Sequence, residues 1–261
     1  MFLVDSHCHL DALNYKTLHH DITDMIDKAS ARSVKLMLAV STTLPGFHAM
    51  TSMIGRRENV LFSCGIHPLN LEEPFEFSEL HQLASSEDVV ALGETGLDYY
   101  YQENNKVLQK AVFREHIRLG RELKKPVIVH TRSACEDTLA ILREGEHGKD
   151  GSGVLHCFTE DLLTAKILLD IGFYISFSGI VTFPNTDVLR AVVRYVPLDR
   201  ILVETDAPYL TPVPYRGKEN QPAYVRDVAE FIAVLKGVPL PQLAAATTAN
   251  FGRLFQVKIK P

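Results

Sequence analysis

The sequence predicts an α/β fold, specifically a (β/α)8 TIM barrel with an extra C-terminal helix. Along its 261 residues, eight short β-branched or apolar runs alternate with amphipathic stretches. Alternating β and α elements favour parallel strands joined by right-handed crossovers, and eight such units close a barrel. The turn after the first run, HCHLDALNY, contains no glycine. An open doubly wound sheet, the alternative fold, usually carries a Gly-rich phosphate loop at that position.

The elements follow one another in a regular order. The strand-like runs are FLVDSH, VKLMLAVS, VLFSCGIH, VVALGE, PVIVHT, GVLHCF, FYISFSG and RILVETD. The stretches with helical periodicity that follow them cover 17–31, 45–57, 76–85, 105–124, 134–145, 160–171, 185–195 and 221–236. A last helical stretch covers 239–255 and supplies the extra C-terminal helix.

The composition predicts one globular domain over residues 1–261. Hydrophobic residues make up 46% of the chain and charged residues 23%, which are ordinary values for a protein with a sizeable core. No low-complexity tract or linker divides the chain, and α/β barrels commonly reach this size as one unit. The Pro-rich stretch at 207–222 is expected to form a βα loop over the active face.

Charge and cysteine usage exclude several classes of protein. The formal net charge of −5 argues against a protein that coats nucleic acid through one broad basic face, although it allows a local basic cleft. The N-terminus lacks a secretory signal pattern, and no window reaches the ~18 apolar residues of a membrane span, so a cytoplasmic protein is expected. The cysteines lack CxxC spacing, which predicts buried free thiols at Cys8, Cys64, Cys135 and Cys157.

Titratable side chains lie at the carboxyl ends of six of the predicted strands. In a barrel the carboxyl ends of the strands build the active site, so these side chains are expected to converge on one rim. A lone histidine after an apolar run is more often a hydrogen-bonded core residue. Burying so many imidazoles and carboxylates together is costly unless they are paired or hold metal, so their convergence favours chemistry. They are His7, His9, His67, Glu94, His130, His156, Glu204 and Asp206.

The segment HCH at the end of the first strand predicts a pair of metal ligands. Side chains at i and i+2 of a strand share a face, about 6.6 Å apart along it. His7 and His9 can therefore reach one cation at about 2.1 Å, whereas Cys8 points toward the helices and is interpreted as packing. A set of His, Glu and Asp without thiolate suits Zn, Mn, Mg or Ni. A carboxylate at the position of Glu94 can bridge two ions.

Six segments resemble the signature segments of the TatD-type metal-dependent hydrolases, deoxyribonucleases of the amidohydrolase superfamily. They are DSHCHLD, GIHP, GETGLDYYY, PVIVHTR, HCF and LVETDAPYL. The resemblance runs from residue 2 to about residue 254, and VALGETGLDYYY and RGKENQPA look closest to the bacterial YcfH branch. It implies a (β/α)8 barrel with two divalent metal ions that hydrolyses a phosphodiester at a nucleic-acid 3′ end. The metal ligands that it implies, with Glu94 bridging where many amidohydrolases use a carbamylated lysine, are His7, His9, Glu94, His130, His156 and Asp206.

Three of these residues carry hypotheses about catalysis. The metals are expected to lower the pKa of a bound water, and Asp206 is expected to accept its proton as well as bind metal. Glu204 is interpreted as a residue that orients a ligand or acts as a second base, or equally as half of a structural ion pair. His67 is expected to donate a hydrogen bond to the substrate phosphate or leaving oxygen, with capping of the next loop as the alternative.

Basic and aromatic residues near the predicted rim suggest contacts with the substrate. Arg132, Arg216 and Lys218 are placed to meet phosphates, although a solvated surface position explains Lys218 equally well. The tyrosine run at 99–101 follows Glu94 on a loop at the rim, where it either stacks on bases or packs the loop.

Three functions of different classes remain open. The favoured one is a phosphodiesterase or 3′–5′ exonuclease acting on single-stranded DNA or RNA ends, because a mildly acidic protein with a narrow cleft is poorly suited to gripping duplex DNA. The second is a metal-dependent amidohydrolase or deacylase acting on a small amide, ester or aminoacyl-tRNA. The third is a non-catalytic barrel, against which the intact ligand set argues. No helix face demands a protein partner, so a monomer is expected.

Overall fold

The computed structural model describes residues 1–101, 104–144 and 152–261. In this part of the chain, eight strands alternate with helices in the predicted order. The strands are β1 (Leu3–Cys8), β2 (Val34–Val40), β3 (Val60–Cys64), β4 (Val89–Asp98), β5 (Val127–Arg132), β6 (Gly153–Leu155), β7 (Tyr174–Phe177) and β8 (Ile201–Val203). The helices are α1 (Ile22–Ala31), α2 (Leu44–Ile54), α3 (Phe77–Ala84), α4 (Lys106–Leu123), α5 (Cys135–Arg143), α6 (Leu162–Asp170), α7 (Asp187–Tyr195), α8 (Val225–Lys236) and α9 (Leu240–Phe255). Short 3-10 helices cover Leu10–Ala12, Gly179–Thr182, Leu198–Arg200 and Pro222–Tyr224.

The strands form one parallel sheet that curls into a nearly closed barrel. They pair in sequence order from β1 to β8. The seam between the last strand and the first is joined just beyond β8, where the Asp206 N–H donates to the His7 carbonyl at 2.9 Å. The buried Asp5 carboxylate strengthens this seam by accepting from both the N–H and the hydroxyl of Thr205. The predicted barrel is thus confirmed.

Two apolar layers support the barrel, and the extra helix closes one of its ends. The larger layer lies between the strands and the surrounding helices. The smaller layer fills the barrel interior and includes Phe251 of α9. Hydrogen bonds hold α9 across the amino ends of the strands, from Thr248 Oγ1 to the Phe2 carbonyl at 2.9 Å and from Asn250 Nδ2 to the Ile201 carbonyl at 2.8 Å. The carboxyl ends of the strands are left for the site.

The fourth strand is longer than the sequence predicts. The run VVALGE places Glu94 at a strand end, whereas β4 continues as far as Asp98. Pairing with β5 changes register between Leu92 and Thr95. Glu94 therefore lies at an irregularity within the strand. The tyrosine loop starts only after Asp98.

The first helix starts later than the predicted stretch 17–31. It begins at Ile22 because Asp21 caps it, with its carboxylate accepting from the Asp24 N–H at 2.8 Å. The predicted helical stretch 134–145 ends on a residue outside the described part of the chain. The predicted ninth helix is present as α9.

The prediction of buried thiols is right for two cysteines and wrong for the other two. All four cysteines are free. Cys8 and Cys64 are fully buried, and Cys8 belongs to the layer that faces the helices, as expected. Cys135 and Cys157 are only half-buried, because Cys135 begins helix α5 and Cys157 lines the cleft described below.

Among the described residues, no single helix combines the length and the apolar character needed to cross a membrane. The segments Pro222–Lys236 and Leu240–Phe255 meet that length and composition test only as a pair, bent by 109°.

Candidate metal centre

The carboxyl ends of the strands surround a cleft of about 770 Å³. Six of the titratable residues that the sequence singles out line this cleft, and His7 lies buried below them with its Nε2 directed at Glu94. The βα topology explains the convergence, because each of these residues lies on a strand near its carboxyl end or just after it. The six lining residues are His9, His67, Glu94, His130, His156 and Asp206.

Glu94 lies at the middle of the cleft, and its two carboxylate oxygens contact different histidines. Oε1 lies 2.9 Å from His156 Nε2 and 3.1 Å from His130 Nδ1. Oε2 lies 3.1 Å from His7 Nε2 and 3.6 Å from His9 Nε2. One carboxylate therefore separates four imidazoles into two pairs, each pair on its own oxygen.

Asp206 joins the pair of histidines from the first strand. Its Oδ1 lies 3.2 Å from His9 Nε2 and 3.4 Å from His7 Nε2. The residue lies three positions after the end of β8 and has a φ of 57°, a left-handed conformation that turns the chain just past the strand. The seam of the barrel thus brings the first and last strands to the same ligand group.

Two glycines in the segment GETG let Glu94 take its place. Gly96 has a φ of 136°, and a Cβ on it would lie 2.0 Å from the His130 carbonyl oxygen. Gly93 has a φ of 146°, and a Cβ there would lie 2.7 Å from the Ile128 carbonyl oxygen. Only glycine allows β4 to approach β5 this closely with this backbone conformation. The glycines therefore set the position of the carboxylate between them.

Opposite charges in the cleft stabilise each other. Burial alone would raise the pKa of the Glu94 carboxyl, but the charge of His156 and hydrogen bonds from His130 and His156 hold it well below its usual range. The pKa of Asp206 is also lowered, because a hydrogen bond from His9 and neighbouring imidazole charge outweigh burial. In turn, against the effect of burial, the bond to Asp206 raises the pKa of His9 to about 9. A cation that enters this centre must displace those protons.

Three of the histidines are oriented from outside the centre. His9 Nδ1 donates to the Val40 carbonyl at 3.0 Å, and His156 Nδ1 lies 3.1 Å from Glu204 Oε1. His130 Nε2 lies 2.9 Å from Asp98 Oδ2. An acceptor on the outer nitrogen keeps a proton there, so that the inner nitrogen would direct its lone pair at the centre once a cation displaced its own proton, as in metal-binding histidines.

The donor set fits divalent metal ions. The described residues contain three groups of ligand atoms in which all atoms lie within 4.8 Å of one another, and every group draws on this cleft. The donors are imidazole nitrogens and carboxylate oxygens without thiolate, a combination that suits Zn, Mn, Ni or Mg. The three groups are His7, His156 and Asp206; His7, His9 and Glu94; and His67, Glu94 and His130.

Comparison with known proteins identifies the family. The family model described as TatD related DNase matches residues 4–256. The chain belongs to the TatD family. It is 65% identical over 257 residues to the uncharacterized metal-dependent hydrolase YcfH of Escherichia coli K12, covering 98% of this chain and 97% of YcfH.

More distant TatD proteins agree in sequence and in fold. The chain is 32% identical over 245 residues to a protein of Salmonella typhimurium named 3′-5′ ssDNA/RNA exonuclease TatD, covering 91% of this chain and 94% of that protein. The crystal structure of YjjV, a TatD homolog from Escherichia coli K12, matches with a TM-score of 0.89 at 26% identity and covers 98% of both chains. The chain is therefore a metal-dependent hydrolase of the TatD family, and the predicted family and fold are confirmed.

His67 differs from His9, His130 and His156 because its outer nitrogen accepts a hydrogen bond, so that its proton faces Glu94. Its Nδ1 accepts a hydrogen bond from the Leu69 N–H at 3.1 Å, so the neutral ring carries its proton on Nε2. Burial lowers the pKa of His67 despite the nearby Glu94, which favours the neutral ring. Nε2 lies 3.2 Å from Glu94 Oε1, at the wall of the cleft. The geometry suits a hydrogen-bond donor better than a metal ligand.

Glu204 contacts a histidine and not the cleft. It is fully buried, its Oε1 lies 3.1 Å from His156 Nδ1, and it is absent from the residues that line the cleft in the described part of the chain. Of the predicted roles, orienting a ligand agrees with this position, whereas a second base would need access to the water in the cleft.

The three predicted phosphate contacts occupy different positions. Arg132 lines the cleft. Arg216 and Lys218 are exposed on the loop after β8 and do not line it. The Arg216 guanidinium stacks 4.0 Å from the centroid of the Phe183 ring and donates to the Thr211 carbonyl, which holds it away from the centre. The structure thus brings one of the three to the cleft.

Sequence reasoning missed one contact of this site, that of Asp98 with His130, and one residue, Tyr209. Asp98 binds His130, and Tyr209 lines the cleft with its ring centroid 6.1 Å from that of His9. A signal for Asp98 was present, because it lies four residues after Glu94 and side chains at i and i+4 share a strand face. Tyr209 lies in the Pro-rich loop, where no periodicity indicates direction.

Proposed function

We propose that this protein is a divalent-metal-dependent phosphodiesterase that removes nucleotides from the 3′ end of single-stranded DNA or RNA. The observation that carries the proposal is the division of the imidazoles between the two oxygens of Glu94. A carboxylate with one oxygen toward each of two ligand groups is the arrangement that bridges a pair of metal ions, and such pairs act on phosphodiesters in many nucleases. The exonuclease name of the TatD relative from Salmonella typhimurium supports the same activity.

The proposed ligands form two sets that share Glu94. One set takes His7, His9 and Asp206 together with Oε2, and the other takes His130 and His156 together with Oε1. Two divalent ions held in this way, Mg, Mn, Zn or Ni, would polarise the phosphodiester and lower the pKa of the attacking water.

The cleft supports a strand end as the substrate. Its volume of about 770 Å³ falls in the range of pockets that enclose a small ligand. It therefore suits a nucleotide at a chain end better than a duplex, whose tight binding would need a broad basic surface that the net charge of −5 does not supply. Arg132 in the lining provides a planar guanidinium that can pair with a phosphate.

Two side chains of the cleft are proposed to move or hold protons. Asp206 accepts the proton of the attacking water, since its carboxylate lines the cleft beside His9. His67 holds a proton at Nε2 because Leu69 occupies Nδ1, so it donates to the phosphate or to the leaving oxygen. Glu204 keeps the His156 ring oriented.

The decisive experiment follows shortening of single-stranded DNA and RNA oligonucleotides labelled at the 5′ end. We expect metal-loaded protein with Mg²⁺ or Mn²⁺ to shorten the labelled strand stepwise from its 3′ end, and chelator to stop the reaction. Glu94→Gln should lose both bound metal and activity, because an amide NH2 group, which does not bind metal ions, replaces one carboxylate oxygen of the bridge.

Glu79→Gln is the matched control, since Glu79 also contacts a histidine, His48, at 3.0 Å but lies on the surface. It should retain metal and activity. Intact oligonucleotides after incubation with protein shown to hold Mg, Mn, Zn or Ni would refute the proposal. Release of product from amide or ester substrates by the same preparation would then assign the centre to deacylation.

A further inference from the structure

Two exposed tyrosines and an arginine form a stacked cluster at the edge of the cleft. Tyr100 and Tyr101 are 60% and 61% exposed, although large aromatic side chains are usually buried. The Arg132 guanidinium lies 4.1 Å from the centroid of the Tyr100 ring and 4.8 Å from that of Tyr101. The two rings meet edge to face, with centroids 4.7 Å apart. We call Tyr100, Tyr101 and Arg132 the stacking cluster.

The stacking cluster borders the cleft and keeps its charge available. Tyr101 and Arg132 both belong to the cleft lining. Within the described part of the chain, no carboxylate forms an ion pair with the Arg132 guanidinium, which is held only over the aromatic rings. A guanidinium plane and a tyrosine ring beside an exposed cleft provide flat surfaces for another aromatic group.

Asp98 connects the stacking cluster to the metal centre. Its Oδ2 lies 2.9 Å from His130 Nε2, while its Oδ1 accepts from the backbone N–H groups of Tyr100 at 3.0 Å and Tyr101 at 3.2 Å. Arg132 lies two residues after His130 on β5, on the same strand face. One carboxylate thus fixes both a proposed ligand and the loop that carries the rings.

We propose that Tyr101 and Arg132 form a subsite for the base of the nucleotide whose phosphodiester lies at the metal centre. This inference rests on the proposed function and adds to it a contact with the base next to the phosphodiester that is cleaved. Stacking on a ring and a guanidinium accepts any of the bases, because every base has a π-face. The subsite is therefore expected to require a base without selecting which one.

The test compares two single-stranded oligonucleotides that differ only at the 3′-terminal nucleotide, which carries a base in one and is abasic in the other. For wild-type protein we expect kcat/KM to be about tenfold higher with the base, as stacking of one base on an aromatic side chain predicts. In Tyr101→Leu the two substrates should react within about twofold of each other. Tyr101→Phe keeps the ring and should restore the preference.

Tyr195→Leu is the matched control. Tyr195 is also exposed and also has a cation over its ring, with Lys166 Nζ 5.4 Å from the centroid, but it ends helix α7 and does not line the cleft. This variant should keep the preference for the base-bearing end.

A binding measurement removes any dependence on turnover. An oligonucleotide with 2-aminopurine at its 3′ end, titrated with chelator-treated protein, should lose fluorescence on binding wild type and Tyr101→Phe but not on binding Tyr101→Leu. Equal hydrolysis of both ends by wild type, or an unchanged preference in Tyr101→Leu, would overturn the subsite and leave the nuclease proposal standing. Hydrolysis of neither oligonucleotide by metal-loaded wild type would overturn both.

Discussion

Two buried histidines show how differently this barrel uses the same side chain. His116 on helix α4 is fully buried, with Nδ1 donating to the Val112 carbonyl at 2.8 Å and Nε2 accepting from the Ile66 N–H at 3.0 Å. Burial lowers its pKa to about 4. His156 in the cleft is also buried, but carboxylates face both of its nitrogens and raise its pKa well above the usual value.

The difference lies in the partners and not in the burial. Backbone groups on both sides keep the ring of His116 neutral, and it serves packing between the helices and the barrel. Glu94 and Glu204 on both sides favour the charged form of His156, the proton of which a metal ion would displace at the proposed centre. Four sets of substitutions test how far the partners of a side chain determine its role.

The largest effect is expected for Asp206→Asn. The amide keeps the shape of the side chain but cannot accept the proton of the attacking water, so kcat should fall by about 10²–10⁴-fold. Initial rates on the single-stranded oligonucleotide measure this, with circular dichroism to verify the fold. A rate within about threefold of wild type would exclude Asp206 as the base.

The next effect concerns His116 and the pH dependence of stability. Its pKa is about 4 in the folded state and 6.5 as a free side chain, so between these pH values only the unfolded state binds the proton. Above pH 6.5 neither state is protonated. As the pH falls from 6.5 to 4, the free energy of unfolding should therefore fall by about 3 kcal/mol through this group.

Urea unfolding of chelator-treated protein at several pH values measures how the free energy of unfolding changes with pH. His116→Gln should lack the part of this change that comes from His116. His48→Gln is the control, because His48 lies at the surface on helix α2 and this variant still contains His116. Parallel slopes for wild type and His116→Gln would show that the folded protein tolerates a charged ring at this position.

A smaller effect is expected for Asp98→Asn. The carboxylate accepts hydrogen bonds on both oxygens, from His130 and from the backbone of the tyrosine loop, whereas an amide has one acceptor oxygen. Metal affinity should fall by about 10–100-fold, as measured by competition with a chromophoric chelator. Asp137→Asn is the matched control, because Asp137 accepts from the Tyr99 hydroxyl at 2.6 Å away from the ligands. Equal affinities in the two variants would leave Asp98 without an orienting role.

The smallest effect is expected for Arg216→Ala and Lys218→Ala. Both side chains lie outside the cleft lining, so their charges act on the approach of the nucleic acid and not on the reaction. KM should rise by about twofold at low ionic strength, and the difference should vanish at high salt. Arg132→Ala, which alters the cleft itself, should keep its defect at high salt. A salt-resistant loss in Arg216→Ala would place that residue in the site.

The sequence predicts the convergence of the titratable side chains because the carboxyl ends of all strands in a barrel lie at the same rim. His7 and His9 at the end of β1 and Asp206 after β8 are 197 positions or more apart in the chain, yet the topology alone places them together. Convergence separates such histidines from His116, whose local sequence gives no sign of its backbone partners.

Other parts of the site depend on information that local patterns lack. The end of β4 was missed because glycines and a register shift interrupt the apolar run at Glu94, although the strand continues. The sequence predicts only that the loop after β8 covers the active face. The path of the loop depends on hydrogen bonds between distant residues, such as those from Asn220 Nδ2 to the carbonyls of Thr205 and Tyr209. Those bonds decide that Tyr209 faces the cleft while Arg216 lies outside it.

The seam between β8 and β1 has a consequence for how the protein is made. His9 leaves the ribosome early in synthesis and Asp206 late, so the ligand group that contains both is complete only when 197 further residues have been added. Closing a loop of that length is entropically costly for a flexible chain. A metal ion bound across the seam would hold together the two strands that meet last. Bound metal would therefore also hold the finished barrel closed. A truncated chain that ends before β8 would lack Asp206, and with it both this link and the complete set of proposed ligands.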